Sequence, residues 1–342
     1  MQKQMARRRW KKFLGITLVV IIALVGLGIT FTIGWRPLIG AKRRALTNRK
    51  FEATPQRLAR GKYLVDGVMG CFGCHSDQDW SKPGAPPVAG REGSGHIWSD
   101  QELPWLIAPN LTPDQETGIG NWSDDTLARA IREGIGHDGR ALFPLMPYPS
   151  YRQMSDEDLA AVIAYLRSVP AVRNQLPTTK MPFPLNYFIQ NVPEPVTAAL
   201  PAPDQSTPVA RGAYLVRMGA CADCHTPQEK GQPMPGMEFA GGFILHEPKG
   251  EVASANITPA PSGLGYYSEA TFLLAMRTGK VGVRPLHSSM PWYFYSRMND
   301  EDLKSIYAYL KTIKPVKHQL DNTEPPTFCR QCKQKHGFGA TN

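Results

Sequence analysis

The chain has 342 residues and six cysteines, and its 39 Lys and Arg exceed its 29 Asp and Glu for a formal charge of +10. Twelve of the bases fall in residues 1–50, which hold no acid, leaving 27 bases against 29 acids elsewhere. Basicity confined to one end beside an apolar run excludes a nucleic-acid-binding face, and the length allows two or three domains.

Residues 1–12 form a basic tail. Phe13 to Trp35 then run for 23 residues without a charge. As a helix this stretch is about 34 Å long, enough to cross a bilayer core. A cleaved signal peptide is the competing reading. The apolar run is longer than a usual signal core, and Gly34-Trp35-Arg36-Pro37 makes a poor cleavage site. An uncleaved transmembrane helix over 13–35 is therefore expected, with Trp10 and Trp35 at the interfaces. Lys3, Arg7, Arg8, Arg9, Lys11 and Lys12 precede it; Arg36, Lys42, Arg43, Arg44, Arg49 and Lys50 follow. The positive-inside count is a tie. Residues 36–55 read as a basic linker.

Cys71-Phe72-Gly73-Cys74-His75 comes next, and Cys221-Ala222-Asp223-Cys224-His225 repeats it. Cys-x-x-Cys-His is the attachment motif of c-type haem: the two thiols add to the vinyl groups and the histidine binds iron. Two covalently bound haem c groups are expected, on Cys71/Cys74 and Cys221/Cys224, with His75 and His225 as proximal ligands. Haem attachment occurs on the outer face of the bacterial inner membrane, which breaks the tie and directs the body of the chain to the periplasm.

The surroundings repeat in the same order. Ala59-Arg60-Gly61-Lys62-Tyr63-Leu64-Val65 matches Ala210-Arg211-Gly212-Ala213-Tyr214-Leu215-Val216. Asn110-Leu111-Thr112-Pro113 matches Asn256-Ile257-Thr258-Pro259, Met146-Pro147 matches Met290-Pro291, and Asp156-Glu157-Asp158-Leu159 matches Asp300-Glu301-Asp302-Leu303. The chain thus carries a duplicated unit, over 56–169 and 209–320. Each unit reads as three helices. The first, near 56–70, ends at the haem motif. A middle helix is capped by Ser123, or by Ser268 in the second unit. The last opens on Ser155 or Asn299, with apolar residues at i, i+3, i+4 and i+7. No strong strand pattern is present, so the expected fold is all-α. Nine prolines make 170–208 a semi-rigid connector, and its apolar residues imply that it lies against a unit.

A distal ligand shared by both units must occupy matching positions. Met146/Met290 and Met154/Met298 qualify. The second pair reads as core packing, the commoner use of Met. The first sits in a stiff proline-rich loop and is the choice for the sixth iron position, where a thioether suits electron transfer. His137 and His287 are weaker alternatives; His96, His246, His318 and His336 read as ordinary polar residues. Arg140 and Arg284 are equally readable as propionate partners or as solvated side chains. Asn110 and Asn256 read as turn residues rather than glycosylation sites. In the tail, 321–342, Cys329-Arg330-Gln331-Cys332 is followed by Lys333, so no third haem is expected. A disulfide is the default; with His336 a metal site would still lack one ligand.

Each unit resembles a class I cytochrome c domain, a fold whose first and last helices cross, which suits Gly61/Gly212 facing Tyr165/Tyr309. More narrowly, the Asn-Leu-Thr-Pro turn, Trp122 to Gly134, Asp138-Gly139-Arg140, and Met146-Pro147-Tyr148 through Leu159 resemble multihaem cytochrome c subunits of membrane-bound alcohol, aldehyde and gluconate dehydrogenases. The resemblance implies two tandem class I domains behind an N-terminal anchor. It implies a single-electron carrier in the inner membrane between a periplasmic dehydrogenase or quinol-oxidising complex and a redox protein acceptor, with no catalytic site of its own. A dihaem subunit of a haem–copper oxidase is the second reading. A dihaem peroxidase is the third; it needs an open iron position, which paired methionines oppose.

Overall fold

The computed structural model describes residues 2–98, 103–247 and 250–342. Its first helix runs Gln2–Phe31, through the basic tail and into the apolar stretch. It starts earlier and ends sooner than the 13–35 span expected. Gly34 turns the chain with φ of 72°, and the Trp35 indole donates back to the Thr30 hydroxyl at 3.1 Å. Residues Arg7–Phe31 are long and apolar enough to cross a membrane, and no part of that stretch is buried in the protein.

The basic link that follows is fastened along its length. Arg44 donates to both carboxylate oxygens of Asp125, each at 2.7 Å, and to Glu133 at 2.7 Å. The Thr47 backbone N–H and hydroxyl also donate to Asp125, and the Phe51 N–H donates to Asp124. Asp125 and Glu133 are buried on one helix. Burial alone would raise the Asp125 carboxyl, but Arg44 and Thr47 outweigh it and hold it down at about 2. Burial prevails at Glu133, which is raised.

Two stretches of chain then fold in the same order. Thr54 and Thr207 each cap an entry helix with proline in its first turn, Pro55–Tyr63 and Pro208–Met218. The first does not run straight to residue 70: it loosens into a π-turn, Leu64–Val68, and Gly70, at φ 54°, redirects the chain into Cys71–Cys74. Ala220 makes that same left-handed turn at φ 51°. Middle helices Asp124–Glu133 and Glu269–Thr278 start at Ser123 and Ser268 and stop at left-handed Gly134 and Gly279. Terminal helices Asp156–Ser168 and Asp300–Leu310 start at Ser155 and Asn299. Each entry helix crosses its terminal helix at a glycine. A Cβ on Gly61 would strike the Ala161 carbonyl and lie 2.7 Å from the Tyr165 Cβ. A Cβ on Gly212 would strike the Ser305 carbonyl and lie 2.9 Å from the Tyr309 Cβ.

The fold is mostly helical, with additions that an all-α reading misses. Among the described residues there are five two-stranded antiparallel ribbons: 96–97 with 107–108, 228–229 with 232–233, 244–247 with 250–253, 280–281 with 284–285, and 326–328 with 335–337. Strands of two to four residues are too short to carry a period-two pattern. Turn residues set several of them, such as Lys230-Gly231 and Gly282, all at positive φ.

The two repeats share one apolar cluster, from Leu64, Leu159 and Ile163 to Leu215, Phe294 and Leu303. Polar contacts cross the seam reciprocally. Tyr63 of the first entry helix donates to Asp302 at the second terminal helix, and Tyr214 donates to Asp158 at 2.7 Å. Burial and the adjoining carboxylates raise both phenols well above their ordinary value. The proline-rich connector wraps the first repeat: the Val172 carbonyl accepts from Asn110, Thr179 pairs with Ile107, and Leu200 donates to Asp156.

Candidate haem-binding sites

Each Cys-x-x-Cys-His run forms a short helical turn of its own after the left-handed break at Gly70 or Ala220, so its thiols and imidazole project from one short coil. None of the four cysteines is paired in a disulfide. The His75 Nδ1 lies 2.8 Å from the Pro109 carbonyl, and the His225 Nδ1 lies 2.7 Å from the Ala255 carbonyl. A carbonyl can only accept, so each Nδ1 carries the proton and each Nε2 keeps its lone pair. Burial lowers both imidazoles, His75 to about 4, so they are neutral at pH 7. Two thiols beside a neutral, carbonyl-oriented imidazole fit the attachment and axial ligation of haem c.

The two carbonyls are functional features that sequence reasoning missed. Each belongs to the residue just before a repeated Asn-x-Thr-Pro, and the structure explains that repeat. The Asn110 side-chain oxygen accepts from the Thr112 N–H at 2.9 Å and hydroxyl at 2.7 Å, while its amide donates to Val172 at 2.8 Å. Asn256 makes the matching bonds to Thr258, at 2.9 and 2.7 Å, and to Val316, at 2.9 Å. Both asparagines are buried, which removes the glycosylation reading. The turns clamp the carbonyls that aim the histidines.

Met146 and Met290 sit in turns with matching hydrogen bonds. The Met146 N–H donates to Phe143 and its carbonyl accepts from Tyr148, at 3.2 and 2.7 Å; for Met290 the partners are His287 and Trp292, at 3.1 and 2.7 Å. Pro147 and Pro291 have nearly equal torsions, ψ 44° and 46°. Both thioethers are partly buried against the shared core. Met154 and Met298 are instead fully enclosed and act as packing. His137 stacks on Trp122 with ring centroids 4.2 Å apart. His96 pairs with Asp77 at 2.8 Å and His246 with Glu251 at 3.5 Å. Arg140 donates to the Thr179 carbonyl at 3.0 Å and lies 3.4 Å from Asp138.

The two turns are close neighbours. Gly73, inside the first, lies under the Phe294 ring, where a Cβ would come within 3.0 Å. Asp223, inside the second, accepts from the Ser150 hydroxyl at 3.3 Å, and Tyr295 donates to the Gly219 carbonyl at 3.2 Å. Each motif thus packs on the short helix that follows the other repeat's Met-Pro.

The tail corrects two expectations. Cys329 and Cys332 are free and buried rather than disulfide-bonded. His318 and His336, taken as ordinary polar residues, are buried and converge on those thiols; one donor atom from each of the four side chains falls within 4.8 Å of the others. No spacing rule joins residue 318 to a motif at 329–332, because the hairpin 326–337 creates the proximity.

Comparison with known proteins agrees with the repeat. The family model described as Cytochrome c matches residues 58–170 and 209–314. The cytochrome c subunit of alcohol dehydrogenase (quinone) from Gluconobacter oxydans is 28% identical over 78% of this chain and 56% of its own length. The gluconate 2-dehydrogenase cytochrome c subunit of Pantoea cypripedii is 31% identical over 77% of this chain and 60% of its own. A diheme cytochrome c-type protein of Cereibacter sphaeroides is 26% identical over 88% of this chain and 97% of its own. The chain spans somewhat over half the length of those two dehydrogenase subunits.

Proposed function

The chain belongs to the cytochrome c family, a family of covalent haem proteins of electron transport, and from that premise we propose a membrane-anchored dihaem electron carrier serving a periplasmic dehydrogenase. Residues 56–169 and 209–320 are its two domains. Cys71, Cys74, Cys221 and Cys224 would hold the haems; His75 and Met146 would ligate iron in the first domain, His225 and Met290 in the second. When bound, haem iron supplies a one-electron couple.

The observation that carries this reading is the identity of the two half-sites. Both have a carbonyl-aimed histidine and a methionine in the same rigid turn. Matching thioethers would close both iron positions, which suits outer-sphere transfer and opposes peroxide chemistry. The seam supports transfer between the domains, because each attachment turn packs on the other domain's Met-Pro helix.

The anchor reading rests on the exposed Arg7–Phe31 helix and on what surrounds its exit. The short helix Arg36–Ile39 packs on Leu185–Phe188. Trp35, Leu38, Ile39, Phe183, Tyr187 and Phe188 are all exposed there. Aromatic and aliphatic side chains around a spanning helix suit a bilayer interface. The buried Arg44–Asp125 pair then ties the first domain, and the exposed Lys42–Glu194 pair the connector, to the segment leaving that surface. Haem attachment on the outer face of the inner membrane favours a periplasmic body. The dehydrogenase cytochrome subunits among its relatives favour a dehydrogenase partner over a haem–copper oxidase. Co-purification from native membranes tests this choice: a dehydrogenase subunit supports it, and copper with additional haems refutes it.

A further inference from the structure

We propose that His318, Cys329, Cys332 and His336 bind one zinc ion, which clamps the C-terminal hairpin onto the loop behind the second haem. The four donors are buried and lie within 4.8 Å of one another. The Cys329 Sγ is 3.5 Å from the His318 Nε2. A tetrahedral zinc with ordinary Zn–S and Zn–N bonds has an S···N edge of about 3.5 Å.

The histidines are set for ligation. The His318 Nδ1 is 2.8 Å from the Ala240 carbonyl, and the His336 Nδ1 is 2.8 Å from the Gly337 carbonyl. Each Nδ1 therefore carries the proton, and each Nε2 has its lone pair free for metal. The His336 Nε2 is buried without a hydrogen-bond partner among the described residues, an orphan that a metal ion explains. The cysteines form a metal-type knuckle: the Cys332 N–H points at the Cys329 Sγ, 3.5 Å away, and Lys333 turns left-handed at φ 61°. Gly242 leaves room for the cluster, since a Cβ there would lie 2.8 Å from His318 and 3.4 Å from the Cys332 Sγ. Binding displaces one proton from each thiol, so two thiolates and two neutral imidazoles balance the dication. Four protein ligands leave no open position, which makes the site structural.

The duplication explains how it arose and what it holds. In the first domain Asn174 donates to the Ser94 carbonyl at 2.9 Å, beside Gly95, which donates to the His75 carbonyl at 2.8 Å. In the second, His318 takes the place of Asn174: it bonds Ala240, beside Gly241, which donates to the His225 carbonyl at 2.7 Å. The histidine keeps the asparagine's tie and adds a metal donor.

Elemental analysis of the purified, haem-loaded full chain tests this. One zinc per chain is expected, with two thiols that react only after chelation. The substitution His318→Asn restores the first domain's tie and removes a ligand. It should drop zinc to a small fraction of an equivalent, leave haem content unchanged, and open the C-terminal hairpin to protease. Cys329→Ser with Cys332→Ser gives the same zinc loss by another route. A Cys329–Cys332 disulfide, a different metal at one equivalent, or zinc retained in both variants overturns the proposal.

Discussion

The tyrosines that cross the seam give the sharpest energetic test. Tyr63 donates to Asp302 and Tyr214 donates to Asp158, so Tyr→Phe at either position removes one bond to a buried carboxylate without changing ring volume. A hydrogen bond to a charged group contributes about 1.5–3 kcal/mol. Asp302 keeps Arg211 and the Asn299 amide, and Asp158 keeps both bonds from Arg60, so neither carboxylate is abandoned. The low end, about 1.5 kcal/mol per substitution, is therefore expected. Arg60 pairs with Asp158 and lies 5.8 Å from the Tyr63 ring centre, and Tyr→Phe leaves that ring in place, so the two hydrogen-bond losses should add, to about 3 kcal/mol in the double variant. Denaturant unfolding of the solubilised, haem-loaded chain measures this, read by circular dichroism and by haem absorbance. The double variant should also separate one cooperative transition into two, because the seam couples the repeats. A double variant within about 0.5 kcal/mol of the parent, unfolding in a single step, refutes the reciprocal seam.

Gly212→Ala places a methyl against the Ser305 carbonyl, and overpacking at such a crossing costs about 1–3 kcal/mol or more; thermal melts of the second domain's absorbance should fall accordingly, and an unchanged melt contradicts the crossing. Asp125 is held at about 2, below its unfolded value, so its contribution is full above about pH 4 and is lost as pH falls through 2. It amounts to about 2 kcal/mol. Asp125→Asn should flatten the acid limb of the stability curve, and parallel limbs count against the Arg44 clamp. Met146→Ala and Met290→Ala, made singly, should each abolish half of the near-infrared Met–iron absorbance and lower one of two midpoint potentials. Loss of the whole band from one substitution contradicts independent His/Met sites.

Much of this was legible in the residues because the chain states it twice. Ser123, Ser155, Ser268 and Asn299 cap helices where their patterns place them. Gly61 and Gly212 sit at crossings that only glycine permits. What stayed hidden depends on distant chain coming together. The carbonyls of Pro109 and Ala255 carry no side-chain signal, and their role emerges only when the histidines reach them. The link 36–55 reads as a charged tether, whereas its Arg44 lands on two buried carboxylates some eighty residues away. His318 lacks a histidine in the matching place, and that mismatch, set beside Asn174, marks it as different.

The central claim is two closed His/Met haems in one chain. Haem quantitation with near-infrared spectra of the oxidised full-length protein tests it most directly. Two haems per chain, each with a Met–iron band, are the predicted result. One haem, or a high-spin centre lacking its thioether, contradicts the account.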